Sequence, residues 1–153
     1  MALADPAFIQ AAAKEFGSQC VVISIDVKVV EGVHQVMTDC GRATTGKDPV
    51  AWARQAEQQG AGEILLNSID RDGMRNGYDL ELIAKVADSV KIPVIACGGV
   101  GEWEHFAEAL GQTGADALAA ANIFHYTDQS VYMAKKFLAE RNSNFRPPNL
   151  LVF

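Results

Sequence analysis

The 153 residues include 13 Lys and Arg against 19 Asp and Glu, a formal net charge of -6, with 49% hydrophobic and 21% charged residues. This is the balance of a single globular domain that can bury a core, and without a basic run or an Arg/aromatic stripe it argues against a nucleic-acid partner. Cys20, Cys40 and Cys97 are odd in number and show no CxxC or Cys/His spacing, so neither a disulfide framework nor a zinc site is suggested; a reducing cytoplasm is the expected location.

The amino end, Met1 to Phe16, has neither a basic leader with a long apolar core nor, like the rest of the chain, a run of about 18 apolar residues, so neither secretion nor membrane insertion is expected. Asp5-Pro6 reads as a helix start, the acid as N-cap and the proline at the first helical position. Phe8, Ile9, Ala12, Ala13 and Phe16 then share one face. After Gly17 the run Cys20 to Asp26 reads as a strand continuing towards Lys28, Val29 and Val30. Between Gly32 and Lys47, apolar and polar residues alternate and turn residues follow, which predicts a two-stranded flap. Asp48-Pro49 restarts a helix running to about Gln59 with Val50, Ala53 and Ala56 inward.

The second strand is Gly62 to Asn67, and its carboxy end delivers Ser68, Asp70, Asp72 and Gly73 into a loop. Asp79 caps a helix bearing Leu82, Ile83, Val86 and Val90. Ile92 to Cys97 is the third strand, ending in Gly98-Gly99, and Glu102 to Leu110 is the next helix. Ala115 to Ala121 is the fourth strand, ending at Asn122, and Val131, Ala134, Phe137 and Leu138 mark the last helix. Residues 1–141 are read as one domain and 142–153 as an irregular tail.

One helix followed by four strand/helix units predicts an α/β fold with a parallel sheet. All four strands end in polar, acidic or glycine residues, as on the catalytic rim of a TIM barrel, but a complete (β/α)8 barrel takes about 250 residues. The expected fold is therefore half of a (β/α)8 barrel. Such a half leaves unpaired edges and an uncovered inner face, so a twofold dimer or another complement is expected.

At these strand ends, Asp26 is a candidate proton-transfer carboxylate, with Lys28 beyond it and Asn67 on the neighbouring strand as candidate substrate contacts. Asp72 is the site candidate of its loop and Asp70 the structural partner. Gly98-Gly99 lets backbone N–H groups approach a phosphate, and a helix start near Asn122 adds to that site. Trp52, Trp103, Phe106 and Phe137 are read as helix packing. His34, His105 and His125 share no metal spacing, and neither a metal nor a cofactor is expected.

Phe16-Gly17-Ser18-Gln19-Cys20, Ser24-Ile25-Asp26-Val27-Lys28, Gly60-Ala61-Gly62-Glu63-Ile64-Leu65-Leu66-Asn67-Ser68-Ile69-Asp70-Arg71-Asp72-Gly73, Asn76-Gly77-Tyr78-Asp79, Gly98-Gly99 with Glu104-His105-Phe106, and Ala120-Ala121-Asn122-Ile123-Phe124-His125 occur in this order. Together they resemble the carboxy-terminal half of the cyclase subunit of imidazole glycerol phosphate synthase, a histidine-biosynthesis family with a complete (β/α)8 barrel. The resemblance implies cyclisation of PRFAR, a phosphorylated ribulosyl-formimino-aminoimidazole carboxamide ribonucleotide, with ammonia from a glutaminase partner. The products are imidazole glycerol phosphate and the aminoimidazole ribonucleotide AICAR, so the class is a lyase. Asp26 matches one of the family's two acid/base aspartates, the other lying outside this chain. Asp72 matches a further site acid, and Gly73, Gly98, Gly99, Ala121 and Asn122 match positions around one substrate phosphate. Cys97 and Asn122 stand where the family usually shows serine. Glu63 matches a charged residue at the ammonia entrance. The other reading is a noncatalytic phosphosugar-binding or assembly module.

Overall fold

The computed structural model describes residues 2–125, 130–141 and 147–148. The tail expected at 142–153 lies outside the described residues except for Pro147 and Pro148.

The chain opens with α1 (Ala7–Phe16), then β1 (Val22–Val30), β2 (Val33–Thr38), β3 (Ala43–Thr44), α2 (Pro49–Gln58) and β4 (Glu63–Ser68). It continues with α3 (Leu80–Ala87), β5 (Val94–Cys97), α4 (Trp103–Gln112), β6 (Ala117–Leu118), α5 (Asn122–His125) and α6 (Val131–Glu140). The described strands form one sheet in the order β3-β2-β1-β4-β5-β6. Its centre, β1-β4-β5-β6, is parallel, as strands separated by helices must be, and β2 and β3 add antiparallel at the β1 side.

Strand and helix chemistry account for these boundaries. Asp48 Oδ1 accepts from Ala51 N at 2.8 Å and Pro49 occupies the first turn of α2, while Asp79 Oδ1 accepts from Leu82 N at 3.2 Å to start α3. The flap is a continuation of the first strand. Val30 pairs with Val33 across a two-residue turn in which Glu31 and Gly32 have φ of 52° and 80°, the left-handed geometry that suits a tight hairpin.

Three expectations are corrected. Pro6, not Asp5, is the N-cap of α1, and Asp5 Oδ1 instead accepts from Ala7 N at 3.2 Å. Of the apolar face assigned to that helix only Ile9 is buried, whereas Phe8 and Phe16 are 49% and 67% exposed. The fourth strand narrows from Ala115–Ala121 to Ala117–Leu118, because it has only β5 as a described neighbour and pairs with it at just Ile95 and Ala96.

Burial alternates residue by residue along β4 and β5 and at the centre of β1. Ile25, Val27, Ile64, Leu66, Val94 and Ala96 are buried together with Trp52, Ala53 and Ala56 of α2, Leu82, Ile83 and Val86 of α3, and Phe106 and Ala109 of α4. The opposite pleat face carries Ser24, Asp26, Glu63, Leu65, Asn67, Ile95 and Cys97, all exposed or half-buried. Among the described residues α2, α3 and α4 all pack on the same face, the arrangement of a barrel wall and not of a doubly wound sheet. The fold is a mixed α/β sheet compatible with part of a TIM barrel.

Candidate active site

The register of the parallel strands aligns Asp26, Asn67 and Cys97 side by side on the uncovered face. Asn67 and Cys97 lie at or near the carboxy ends of β4 and β5, whereas Asp26, expected at a strand end, lies at the middle of β1, which runs on through the hairpin pairing to Val30; the shared pleat face still sets the three in one row. Asn67 Nδ2 donates to Asp26 Oδ1 at 3.1 Å. The other amide atom, Asn67 Oδ1, is buried with no partner within the described chain, and a Cβ added to Gly98 would lie 3.2 Å from it. Lys28 occupies the same face two residues beyond Asp26, opposite Gln35.

The loop after β4 sorts its two carboxylates. Ser68 O accepts from both Arg71 N at 3.2 Å and Asp72 N at 3.0 Å, which curls the loop and leaves Asp72 exposed. Asp70 Oδ2 accepts from Val29 N at 2.7 Å and thereby ties the loop to the hairpin. Asp70 thus has a structural bond, and Asp72 is available to a ligand.

A cavity of about 120 Å³ lies between the loops that follow β4, β5 and β6. Asn67, Asp72, Gly73, Gly98, Gly99, Ala121 and Asn122 line it, together with Cys97. Gly98 and Gly99 adopt φ of 96° and 105°, and added Cβ atoms would meet Ser68 O at 2.6 Å and Gly77 O at 2.1 Å. Only glycine fits such a close backbone approach. Burial pushes the Cys97 thiol above its ordinary range, Asp72 and Asp26 push further in the same direction, and the Gly98 N–H opposes them. The group at the cavity wall is a neutral thiol near pH 7.

Glu63 is not brought to this mouth. It sits at the amino end of β4, opposite Val22, four residues or about 13 Å below Asn67 along the strand. Among the described residues no group of three or more His, Cys, Asp or Glu could hold a metal ion. His105 Nδ1 accepts from Gly101 N at 3.1 Å and lies at the start of α4.

Two features were not legible in the chain. Tyr78, 3% exposed, donates its hydroxyl to Ala119 O at 3.0 Å, just before Ala120 and Ala121. Burial raises its pKa, with Cys97 adding to the shift. Asp79 is the helix cap that its position before α3 predicts, yet its Oδ2 also lies 3.0 Å from His34 Nε2 and 3.6 Å from Arg71 Nε. A buried carboxylate takes such partners readily, but sequence separations of 45 and 8 residues give no periodic signal for them.

A family model described as Histidine biosynthesis protein matches residues 1–130. The chain belongs to this family. A curated relative is the imidazole glycerol phosphate synthase subunit HisF of Pyrobaculum aerophilum, 50% identical over 145 residues that make up 95% of this chain and 57% of that protein. The chain therefore spans little more than half the length of that relative. Among its described residues no helix is long and apolar enough to cross a membrane.

Proposed function

We propose that the chain is the carboxy-terminal half of a cyclase barrel of the imidazole glycerol phosphate synthase type and that it works in the cytoplasm after joining a complementary half. The supporting observation is the juxtaposition of the Asp26–Asn67 pair with a glycine-walled cavity on one rim, in a chain 50% identical to a HisF subunit. In this reading one phosphate of the PRFAR substrate sits among Gly73, Gly98, Gly99, Ala121 and Asn122, where small residues let backbone donors approach an anion.

Ring closure with ammonia requires a proton to leave the incoming nitrogen and one to reach the departing AICAR nitrogen. Asp26 performs one of these transfers, and the hydrogen bond from Asn67 to its Oδ1 helps to orient the carboxylate. Asp72, exposed beside the phosphate cavity, contacts sugar hydroxyls or relays a proton. Lys28 supplies positive charge above Asp26. Glu63 belongs to the entrance at the opposite end of the strands, where ammonia from a glutaminase subunit would enter.

Association follows from the uncovered face. Leu65 and Ile95 lie there half-buried and Val22 is 48% exposed, a surface that a second wall of strands would cover. The simplest complement is a second copy about a twofold axis, which sets an Asp26 on each side of one mouth.

The test is a cyclase assay with PRFAR and ammonium salt, alone and with a separately expressed amino-terminal half of a HisF relative, run alongside light scattering. Imidazole glycerol phosphate formation by either assembly supports the proposal. An associated chain that forms no product in either mixture is a binding or assembly module instead.

A further inference from the structure

Next to the proposed site, on whose reading this inference rests, one segment outside the cavity wall touches several of its loops. Gly77, Tyr78 and Asp79 are consecutive and buried, and each reaches a different loop of the rim. Gly77 N donates to Gly99 O at 2.8 Å, holding the loop after β5. Tyr78 OH donates to Ala119 O at 3.0 Å, holding the loop after β6. Asp79 Oδ2 faces Arg71 Nε at 3.6 Å in the loop after β4 and His34 Nε2 at 3.0 Å on the hairpin, while Asp79 Oδ1 starts α3 at Leu82 N. Arg71 returns to the same segment, its Nη1 donating to Gly77 O at 3.4 Å.

We infer that Asp79 is a positioning residue for the site, the charged centre of a Gly77-Tyr78-Asp79 hub that sets Asp72 and Gly73 against Gly98-Gly99. Asp72 and Gly73 directly follow Arg71, so whatever fixes the guanidinium fixes the backbone from which they project. The Arg71 Cβ lies 3.1 Å from where a Gly99 side chain would begin, so displacement of Arg71 alters the cavity wall itself. Asp79 is 7% exposed, and a buried carboxylate flanked by a guanidinium and an imidazole holds both more firmly than a surface pair would. A site loosened by about 1 Å loses on the order of a hundredfold in rate.

The test compares local hydrogen exchange in the wild type and in Asp79→Asn, Tyr78→Phe and His34→Phe. Asparagine caps a helix as well as aspartate does, so Asp79→Asn retains the start of α3 and removes only the charge. The expected result for Asp79→Asn is at least tenfold faster exchange across 70–77 and 28–36, with 82–86 unchanged. Tyr78→Phe is expected to loosen 119–121 alone, and His34→Phe the hairpin alone. Exchange across 70–77 within twofold of wild type in Asp79→Asn, or a uniform rise over the whole chain, overturns the inference. Calorimetric titration of the wild type with inorganic phosphate runs alongside. Absence of phosphate binding would remove the ligand reading of the cavity, whereas the exchange pattern still decides the role of Asp79.

Discussion

Asn67 Nδ2 donates to Asp26 Oδ1 at 3.1 Å across the β1–β4 register, and Asn67 Oδ1 has no partner within the described chain. One amide thus orients the candidate proton carrier and leaves an acceptor open beside Gly98. Replacing Asp26 with Asn keeps the shape and removes the proton chemistry, so ammonia-dependent cyclisation by the assembled barrel should fall by about 10²- to 10⁴-fold with little change in thermal stability. An unchanged turnover number would exclude Asp26 from the mechanism.

Gly98→Ala and Gly99→Ala should be costly for a different reason. Each places a Cβ within 2.6 Å of a backbone oxygen at a φ near 100°. The strain is about 1–3 kcal/mol per site, read as a lowered melting temperature. Calorimetry should also show weakened phosphate binding, because relief of the clash moves the loop that walls the cavity.

The two faces of β4 make opposite predictions. Ile64 is fully buried beneath the helices, so Ile64→Ala should cost about 2–5 kcal/mol in denaturant unfolding. Leu65, on the other pleat face, is half-buried in the single chain, and Leu65→Glu should leave its secondary structure intact by circular dichroism. The same substitution should abolish association in light scattering. A Leu65→Glu chain that still associates would move the contact away from the inner face.

Cysteine reactivity reports on the mouth. Cys20 and Cys40 are exposed, whereas Cys97 is half-buried with its thiol pKa raised first by burial and then by Asp72 and Asp26. Iodoacetamide at pH 7.5 should modify Cys20 and Cys40 well before Cys97, as followed by peptide mass spectrometry. Asp72→Asn removes one of the charges that disfavour the thiolate and should speed modification of Cys97.

Stability should also decline in alkali. Tyr78 and Cys97 both have folded-state pKa values above their unfolded ones, so in the alkaline range the native state binds more protons than the unfolded state. Their contribution is complete below the unfolded values, about 8.5 for Cys and 10 for Tyr, and is lost as pH rises beyond them. Urea midpoints measured from pH 7 to 11 should fall, and Tyr78→Phe should flatten the part of the decline above about pH 10. A Tyr78→Phe curve parallel to wild type would mean that the Tyr78 hydroxyl does not carry it.

The order of helices and strands, much of the apolar faces of α2, α3 and α4, and the polar endings of β4 and β5 were legible in the chain, since each is written in the spacing of neighbouring residues, whereas β1 runs on past Asp26 to Val30. Asp26, Asp72 and Gly98-Gly99 were recognisable as candidates for the same reason: each stands at the end of an apolar run. The tertiary structure decided which contacts these residues make. It gave Asp70 to the hairpin, left Asp72 beside the cavity, exposed Phe8 and Phe16, shortened the last strand, and turned Asp79 from a helix cap into a junction with His34 and Arg71. Those outcomes depend on which strands lie side by side and on how loops from separate units meet, and such long-range pairings leave no local period in a sequence.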